Sequence, residues 1–133
     1  MKPLLIFCSA FILFIAGCSK KETTENNGIT GKWKLKEQYW SIGDANVNWT
    51  AVETSKQAVI EFHGDSSFTF SANFPKADLQ LNRFQLVGNE LNMSSTLNSN
   101  TDKWYVNNLD NNKLELSIFR CIEGCAYRFV AVK

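Results

Sequence analysis

Four cysteines carry the most reactive side chains of this sequence. Cys8 lies within an apolar N-terminal run and Cys18 follows that run directly, whereas Cys121 and Cys125 lie close together near the C-terminus. A three-residue segment that ends in Gly124 separates the last two. A hairpin loop of this length with a left-handed glycine at its end brings the flanking residues within disulfide range. In an exported domain, the spacing therefore predicts a disulfide between Cys121 and Cys125.

The single histidine, His63, is the other candidate for chemistry, because Asp65 and Ser66 follow it closely. Neighbours along a turn do not make a catalytic triad, which needs a nucleophile, a base and an orienting group that converge in space. Two cysteines and one histidine are too few ligands for a structural zinc ion, and the glycines form no phosphate-binding motif. We therefore expect no catalytic residues, no bound metal and no cofactor, and we expect that the protein is not an enzyme.

The N-terminal segment has the features of an export signal. Lys2 supplies a positive charge, and residues 4–16 form an almost unbroken apolar run of 13 residues. A helix that spans a bilayer needs about 20 such residues, so this run has the length of a signal-peptide core. Its end, Ile15-Ala16-Gly17-Cys18, resembles the lipobox of bacterial lipoproteins. The alternative is an ordinary cleaved signal peptide with an incidental cysteine, but no A-x-A-like cleavage site fits as well.

The lipobox resemblance implies three segments. Residues 1–17 would be removed as the signal peptide, and Cys18 would carry a diacylglycerol on its sulfur and usually an acyl chain on its amino group. Residues 18–28 are polar and lack periodicity, so we expect a flexible tether. Several acyl chains together give stable anchoring. We therefore expect a protein that contacts the membrane through lipid on Cys18, in the bacterial cell envelope and specifically at the outer membrane.

The charge balance argues against a nucleic-acid partner. The chain has 14 Lys and Arg and 13 Asp and Glu, which gives a formal net charge of +1, and it contains no basic run. Proteins that bind nucleic acids usually carry a basic patch that neutralises phosphates. We expect a monomer that does not bind nucleic acid.

Residues 29–133 alternate apolar and polar side chains in short blocks separated by turn residues, which is typical of an all-β domain. Eight strands are predicted at residues 31–40, 56–63, 67–74, 81–87, 90–97, 103–109, 113–121 and 125–133. In the first strand, the alternation places Trp33, Leu35 and Tyr39 on the core face. Because each strand has one apolar face, the strands enclose a single core, either as an up-and-down barrel or as a sandwich.

The lengths of the connections favour the antiparallel up-and-down barrel. Three tight connections consist of residues that tolerate left-handed dihedrals: 64–66, 88–89 and 110–112. Three longer connections alternate with them: 41–55, 75–80 and 98–102. In an up-and-down arrangement, alternate connections fall at opposite ends. We therefore predict an eight-stranded barrel with a closed end, at which the first strand begins, and an open end.

Gly31-Lys32-Trp33 matches the G-x-W motif that opens the first strand of lipocalins. The long first connection and the closing pattern Cys-x-x-Gly-Cys-x-Tyr-x-Phe, at residues 121–129, also match the small lipocalin-like domains of Bacteroidetes lipoproteins. The domain thus resembles a lipocalin-like domain over residues 31–133. The resemblance implies a basic residue that packs across Trp33, either Arg128 or Arg120. The chain is shorter than a typical lipocalin, which argues against a large ligand cavity.

Two functions remain open for such a barrel. It could bind a small apolar or amphipathic molecule at its open end, or its core could be filled so that the domain docks to an envelope partner, since eight strands leave just enough room for either. Long connections are often functional, and the first one contains Val47, Trp49 and Val52, with Trp40 just before it. We predict that Trp40, Trp49 and Phe74 form an apolar ligand site, with polar groups from Tyr39 and Tyr127. The alternative is that Trp49 folds back as a structural plug.

Overall fold

The structure, a computed structural model, describes residues 28–41, 48–122 and 124–133. The predicted signal peptide, Cys18 as the predicted site of lipid attachment, and the predicted tether as far as Asn27 lie outside the described residues. Residues 42–47 of the first connection also lie outside them. None of the helices within the described part of the chain has both the length and the apolar character needed to cross a bilayer.

The described chain consists of β-strands and two short 3₁₀ turns. The strands are β1 (Gly31–Trp40), β2 (Thr50–Ala51), β3 (Val59–Phe62), β4 (Phe68–Phe70), β5 (Arg83–Val87), β6 (Glu90–Ser94), β7 (Thr101–Leu109), β8 (Lys113–Ile118) and β9 (Cys125–Ala131). The 3₁₀ turns span Thr54–Lys56 and Ala77–Leu79. All eight predicted strands are present, several of them shorter than predicted, and β2 is an additional strand within the long first connection.

The strands form one antiparallel sheet that curls into a nearly closed barrel. Along the sheet the order is β4, β3, β1, β9, β8, β7, β6 and β5, with β2 as a further partner of β1. The two ends of the sheet, β4 and β5, meet through a single bridge between Ser67 and Arg83. The order around the barrel follows the order along the chain, apart from the pairing of β9 with β1. The predicted eight-stranded up-and-down barrel is therefore confirmed.

The closed end is sealed by the segment that precedes β1. Ile29 is fully buried and Trp33 is nearly so. The indole nitrogen Nε1 of Trp33 donates a hydrogen bond to the carbonyl oxygen of Ile29 over 2.8 Å. Gly31 pairs with Phe62, the last residue of β3 before a tight turn. The chain therefore enters the barrel at the closed end, as predicted, and the opposite end carries the longer connections.

A β-bulge in β1 changes which of its side chains face the core. The pairing with β9 moves from Leu35 opposite Phe129 to Glu37 opposite Arg128, which leaves one extra residue in β1. Because side chains alternate with a period of two, one extra residue exchanges the inner and outer faces of the rest of the strand. Tyr39 therefore points outward, and its predicted place on the core face with Trp33 and Leu35 is wrong.

The predicted disulfide links Cys121 to Cys125, whose Cα atoms lie 5.6 Å apart. Gly124 has a φ of 69°, the left-handed conformation that the spacing predicted. The connection is longer than predicted, because β8 already ends at Ile118 and Cys121 lies within the loop. The disulfide consequently closes the β8–β9 loop on itself and does not join two paired strands.

Removal of this disulfide is expected to have a modest effect. The double substitution Cys121→Ala and Cys125→Ala should lower the free energy of unfolding by about 2 kcal/mol, because closing so short a loop restricts the unfolded chain only slightly. Urea denaturation followed by circular dichroism measures this difference, and wild type in reducing agent serves as the control. Equal denaturation midpoints for oxidised wild type and the double variant would contradict the prediction.

Candidate functional site

Aromatic rings fill the barrel beneath its open end. Phe74 belongs to the β4–β5 connection, and its side chain enters the barrel, where it is only 6% exposed. Its ring centroid lies 5.4 Å from that of Phe70, 5.7 Å from Trp104 and 6.2 Å from Phe129. Trp104 in turn stacks on Tyr127, with 5.5 Å between the ring centroids. We call these five residues the aromatic stack, and it occupies the space where a deep ligand cavity would lie.

The β4–β5 connection directs Phe74 inward and Lys76 to the rim. Lys76 and Gln80 have φ angles of 66° and 53°, and they flank the 3₁₀ turn Ala77–Leu79. Left-handed conformations cost non-glycine residues about 1 kcal/mol or more each. The burial of Phe74 offsets that cost, and a hydrogen bond of 3.0 Å from the Asn100 side-chain amide to the Leu79 carbonyl oxygen holds the turn in place.

Above the aromatic stack, the open end forms a pocket of about 560 Å³. Apolar groups, the disulfide, neutral amides and charged side chains share its wall. They are Gln38, Trp40, Asn73, Pro75, Lys76, Asp102, Ile118, Arg120, Cys121, Cys125 and Tyr127. We call this site the mouth pocket. Its volume lies within the range of sites that bind small molecules.

Tyr127 provides a buried hydroxyl at the bottom of the mouth pocket. Its side chain is 2% exposed and lies opposite Gln38 on the inner face of the barrel. None of the hydrogen bonds within the described residues involves its hydroxyl, and burial raises the pKa of the phenol. A buried tyrosine hydroxyl usually has a hydrogen-bond partner. The hydroxyl of Tyr127 therefore stays protonated at neutral pH and, among the described residues, is without such a partner.

Asp102 is the carboxylate of the mouth pocket, and both of its oxygens already accept hydrogen bonds. Oδ2 accepts one from Nε1 of Trp104 over 2.8 Å, and Oδ1 accepts one from the backbone N–H of Lys103 over 2.9 Å. Asp102 thus orients the buried indole. Lys76 and Arg120 are the cations of the mouth pocket. Neither of them takes part in the ion pairs within the described part of the chain.

The structure brings two of the five predicted ligand-site residues to the mouth pocket. Trp40 and Tyr127 line it, and Phe74 lies directly beneath it in the aromatic stack. Tyr39 and Trp49 lie together on the outer face of the barrel, with their ring centroids 5.8 Å apart. The β1 bulge explains this placement, because it turns Tyr39 outward and Trp49 packs on it there.

Arg128 contacts a different tryptophan from the one that the lipocalin resemblance implies. It faces outward on β9, where its guanidinium lies 3.7 Å from the ring centroid of Trp49. It also forms ion pairs of 2.9 Å with Glu115 and 3.5 Å with Glu37. Arg120 lines the mouth pocket, at the opposite end of the barrel from Trp33. Among the described residues, the cation that packs on an indole is therefore on the outer wall and not across Trp33.

The His63 turn organises the closed end. The backbone N–H of His63 donates to the carbonyl oxygen of Ser67, and Asp65 Oδ1 accepts a hydrogen bond of 3.0 Å from the backbone N–H of Ser67. The hydroxyl of Ser67 also donates to Asp65, and these bonds lower the pKa of the Asp65 carboxyl. Both groups that act on Asp65 most strongly thus belong to the turn itself, which matches a structural role for this segment.

A second concavity, of about 650 Å³, lies on the outer wall of the barrel. Gln85, Asn92 and Lys103 form one row across β5, β6 and β7, and they belong to the wall of this trough. Lys103 is paired with Glu90 over 3.0 Å and lies over the ring of Phe119. The mouth pocket is the better candidate for a ligand site, because it combines Trp40 and the disulfide with the buried Tyr127 in one wall.

No protein-family model and no curated protein matches the chain. Among solved structures, the chain is similar to an uncharacterized protein from Bacteroides eggerthii, with 15% sequence identity and a TM-score of 0.41. The match covers 77% of this chain and 98% of that chain. The barrel itself, with eight antiparallel strands and near-complete closure, fits a lipocalin-like fold.

Proposed function

We propose that this protein is a lipid-anchored, lipocalin-like binding protein of the bacterial cell envelope that holds a small amphipathic molecule in the mouth pocket. The observation that carries the proposal is the combination, in one pocket, of an exposed apolar wall with the buried hydroxyl of Tyr127, which has no hydrogen-bond partner among the described residues. Binding pockets commonly pair apolar walls with a few polar groups that orient the ligand. The role is one of binding and not of catalysis.

The apolar wall consists of Trp40, Ile118 and the Cys121–Cys125 disulfide. Trp40 belongs to the inner face at the end of β1, opposite Cys125, yet it is 56% exposed. Burying apolar surface contributes about 25 cal/mol per Å². A ligand that covers this indole would therefore gain affinity without any rearrangement of the barrel.

The anchoring part of the proposal rests on the sequence and on where the chain enters the barrel. The Ile15-Ala16-Gly17-Cys18 segment supplies the lipobox pattern. Gly28 and the buried Ile29 lie at the closed end, so a tether from Cys18 would join the barrel there. The mouth pocket would then face away from the membrane, toward soluble ligands of the envelope.

The fluorescence of N-phenyl-1-naphthylamine, an uncharged probe, tests the binding function on the full soluble domain. We expect the probe to bind wild type, and we expect Trp40→Ala to weaken binding about tenfold because one aromatic wall is lost. The matched control is Trp49→Ala, which removes an indole from the outer wall and should leave the affinity unchanged. If the probe does not bind wild type, or if both variants bind it equally, the mouth pocket is not the site.

One observation favours a second candidate, in which the open end docks to an envelope protein. Large apolar side chains are exposed in the connections at this end, namely Leu97 at 75%, Phe119 at 49% and Ile122 at 102%. Together with Trp40 they form an apolar rim around a barrel that the aromatic stack fills. Absence of probe binding would favour this candidate over the binding function.

A further inference from the structure

We infer that the molecule held in the mouth pocket carries a negatively charged group, which Lys76 and Arg120 bind at the rim. The inference rests on the proposed function and names its ligand class, an amphipathic anion such as an aromatic or aliphatic carboxylate or sulfonate. The apolar part of this ligand lies against Trp40 and the disulfide.

The wall of the mouth pocket carries two cations. Lys76 comes from the β4–β5 connection and Arg120 from the β8–β9 connection, so two cations from distant parts of the chain line one pocket. The carboxylate of Asp102 offsets only one of these two positive charges, and its oxygens accept hydrogen bonds from Trp104 and from the Lys103 backbone. Among the described residues, two cations and one carboxylate therefore leave the wall of the pocket with a net positive charge, which attracts anions electrostatically.

The cations of the barrel differ in their ion pairs and in their surroundings. Lys32, Lys103 and Arg128 form ion pairs with strand glutamates on the outer wall. Within residues 28–41, 48–122 and 124–133, Lys76 and Arg120 belong to none of the ion pairs, which is also true of Lys34, Lys36, Arg83 and Lys113. Lys76 and Arg120 are distinguished by lining the mouth pocket, where a bound acidic group would give both of them charge-assisted hydrogen bonds.

The hydroxyl of Tyr127, which has no hydrogen-bond partner among the described residues, favours a polar ligand independently of the rim charges. A hydrocarbon ligand would cover this buried hydroxyl without pairing it, and unpaired buried polar groups cost free energy. A ligand that carries polar atoms besides its apolar part can bond to it. The bottom of the pocket therefore also selects against a purely apolar molecule.

The position of Lys76 is fixed by its surroundings. Its backbone has a φ of 66°, between the inserted Phe74 and the 3₁₀ turn Ala77–Leu79. Glycine would adopt this conformation without strain. The sequence has a lysine at this position, and its side chain lines the pocket, where the ammonium group can pair with an anionic ligand.

Two probes that differ by one sulfonate test the inference. We expect wild type to bind 1-anilinonaphthalene-8-sulfonate about tenfold more tightly than uncharged N-phenyl-1-naphthylamine. Lys76→Gln with Arg120→Gln should remove that tenfold difference and leave the affinity for the uncharged probe unchanged. Raising the salt from about 50 mM to about 500 mM should also reduce the difference, because it screens exposed charges. Lys113→Gln, which removes a cation at the closed end, is the matched control and should change neither affinity.

The outcomes separate the inference from the proposed function. If wild type binds both probes equally, or if the double variant loses affinity for both, the inference is overturned while the binding function stands. If neither probe binds wild type, the proposed function fails and the inference fails with it. Near-ultraviolet circular dichroism identifies any variant that binds the sulfonate only because it has lost its tertiary packing.

Discussion

Replacing Phe74 with alanine is expected to lower the free energy of unfolding by about 3–5 kcal/mol, the largest effect of any substitution considered for the folded domain. Phe74 stacks on three other rings and holds the β4–β5 connection against the barrel. Its loss removes that packing, and the strained backbone of Lys76 and Gln80 loses the burial that offsets it. Urea denaturation monitored by tryptophan fluorescence measures the change.

Two further variants make this result specific. Phe74→Leu keeps most of the buried volume and should lose only about 1–2 kcal/mol, so it remains folded if the alanine variant does not. Phe119→Ala removes a half-exposed ring of the β8–β9 connection and should cost less than about 1 kcal/mol. Equal losses for Phe74→Ala and Phe119→Ala would show that the aromatic stack does not support the barrel.

The alanine variant should also acquire a new cavity. An apolar cavity in a protein core stays dry and binds small apolar molecules. Benzene is therefore expected to raise the thermal midpoint of Phe74→Ala by binding to its native state, and to leave the midpoint of wild type unchanged. This outcome would identify the aromatic stack as the feature that keeps ligands in the mouth pocket and out of the barrel.

The second large effect is expected in cells and concerns the lipid anchor. Cys18→Ala should abolish the incorporation of radioactive palmitate and leave the proposed signal peptide uncleaved, because the cysteine of the proposed lipobox would accept the diacylglycerol and mark the cleavage site. Gel mobility and membrane fractionation report both steps. Cys121→Ala is the control that removes a different cysteine, and it should keep the full label. Equal labelling of wild type and Cys18→Ala would exclude the lipoprotein assignment.

The sequence predicted the barrel because its signals are local. Apolar residues alternate along each strand, and residues such as Gly88 and Asn111 mark tight turns that alternate with longer connections. Those features fix the number of strands and the closed end without knowledge of any long-range contact. The disulfide was predictable for the same reason, since Gly124 and the spacing of the two cysteines are local too.

The features that the sequence did not predict depend on contacts between distant segments. The bulge in β1 is visible only in its register with β9. The alternation of Phe68, Phe70 and Phe74 extends a predicted strand to residue 74, but β4 ends at Phe70 and Phe74 enters the barrel after a turn. Strand propensity cannot distinguish a Phe74 that is buried as part of a strand from one that enters the barrel from a loop, because the buried side chain is apolar in both cases.

The sequence predicted Trp40 and Tyr127 in the wall of the mouth pocket but missed other residues that line it. Trp40 and Tyr127 are aromatic residues near strand ends at the open end, so their positions along the chain were sufficient. Lys76 and Arg120 were not assigned to the site. No sequence pattern predicts a lysine with a left-handed backbone, or a loop arginine whose side chain lines a pocket. Trp49 was assigned to it on composition alone, and its packing on Tyr39 and Arg128 shows how an aromatic loop residue can serve the outer wall.

The pairing of β1 with β9 joins the first and last strands of the barrel, with Trp33 opposite Ala131. These strands lie in the middle of the sheet, whereas its two margins, β4 and β5, are neighbours along the chain. Contacts between such distant segments make folding slow, on the order of milliseconds to seconds. While a ribosome is still making β9, β1 has no partner along one side, so the barrel cannot form progressively during synthesis. Closure of the barrel is thereby delayed until β9 has been made.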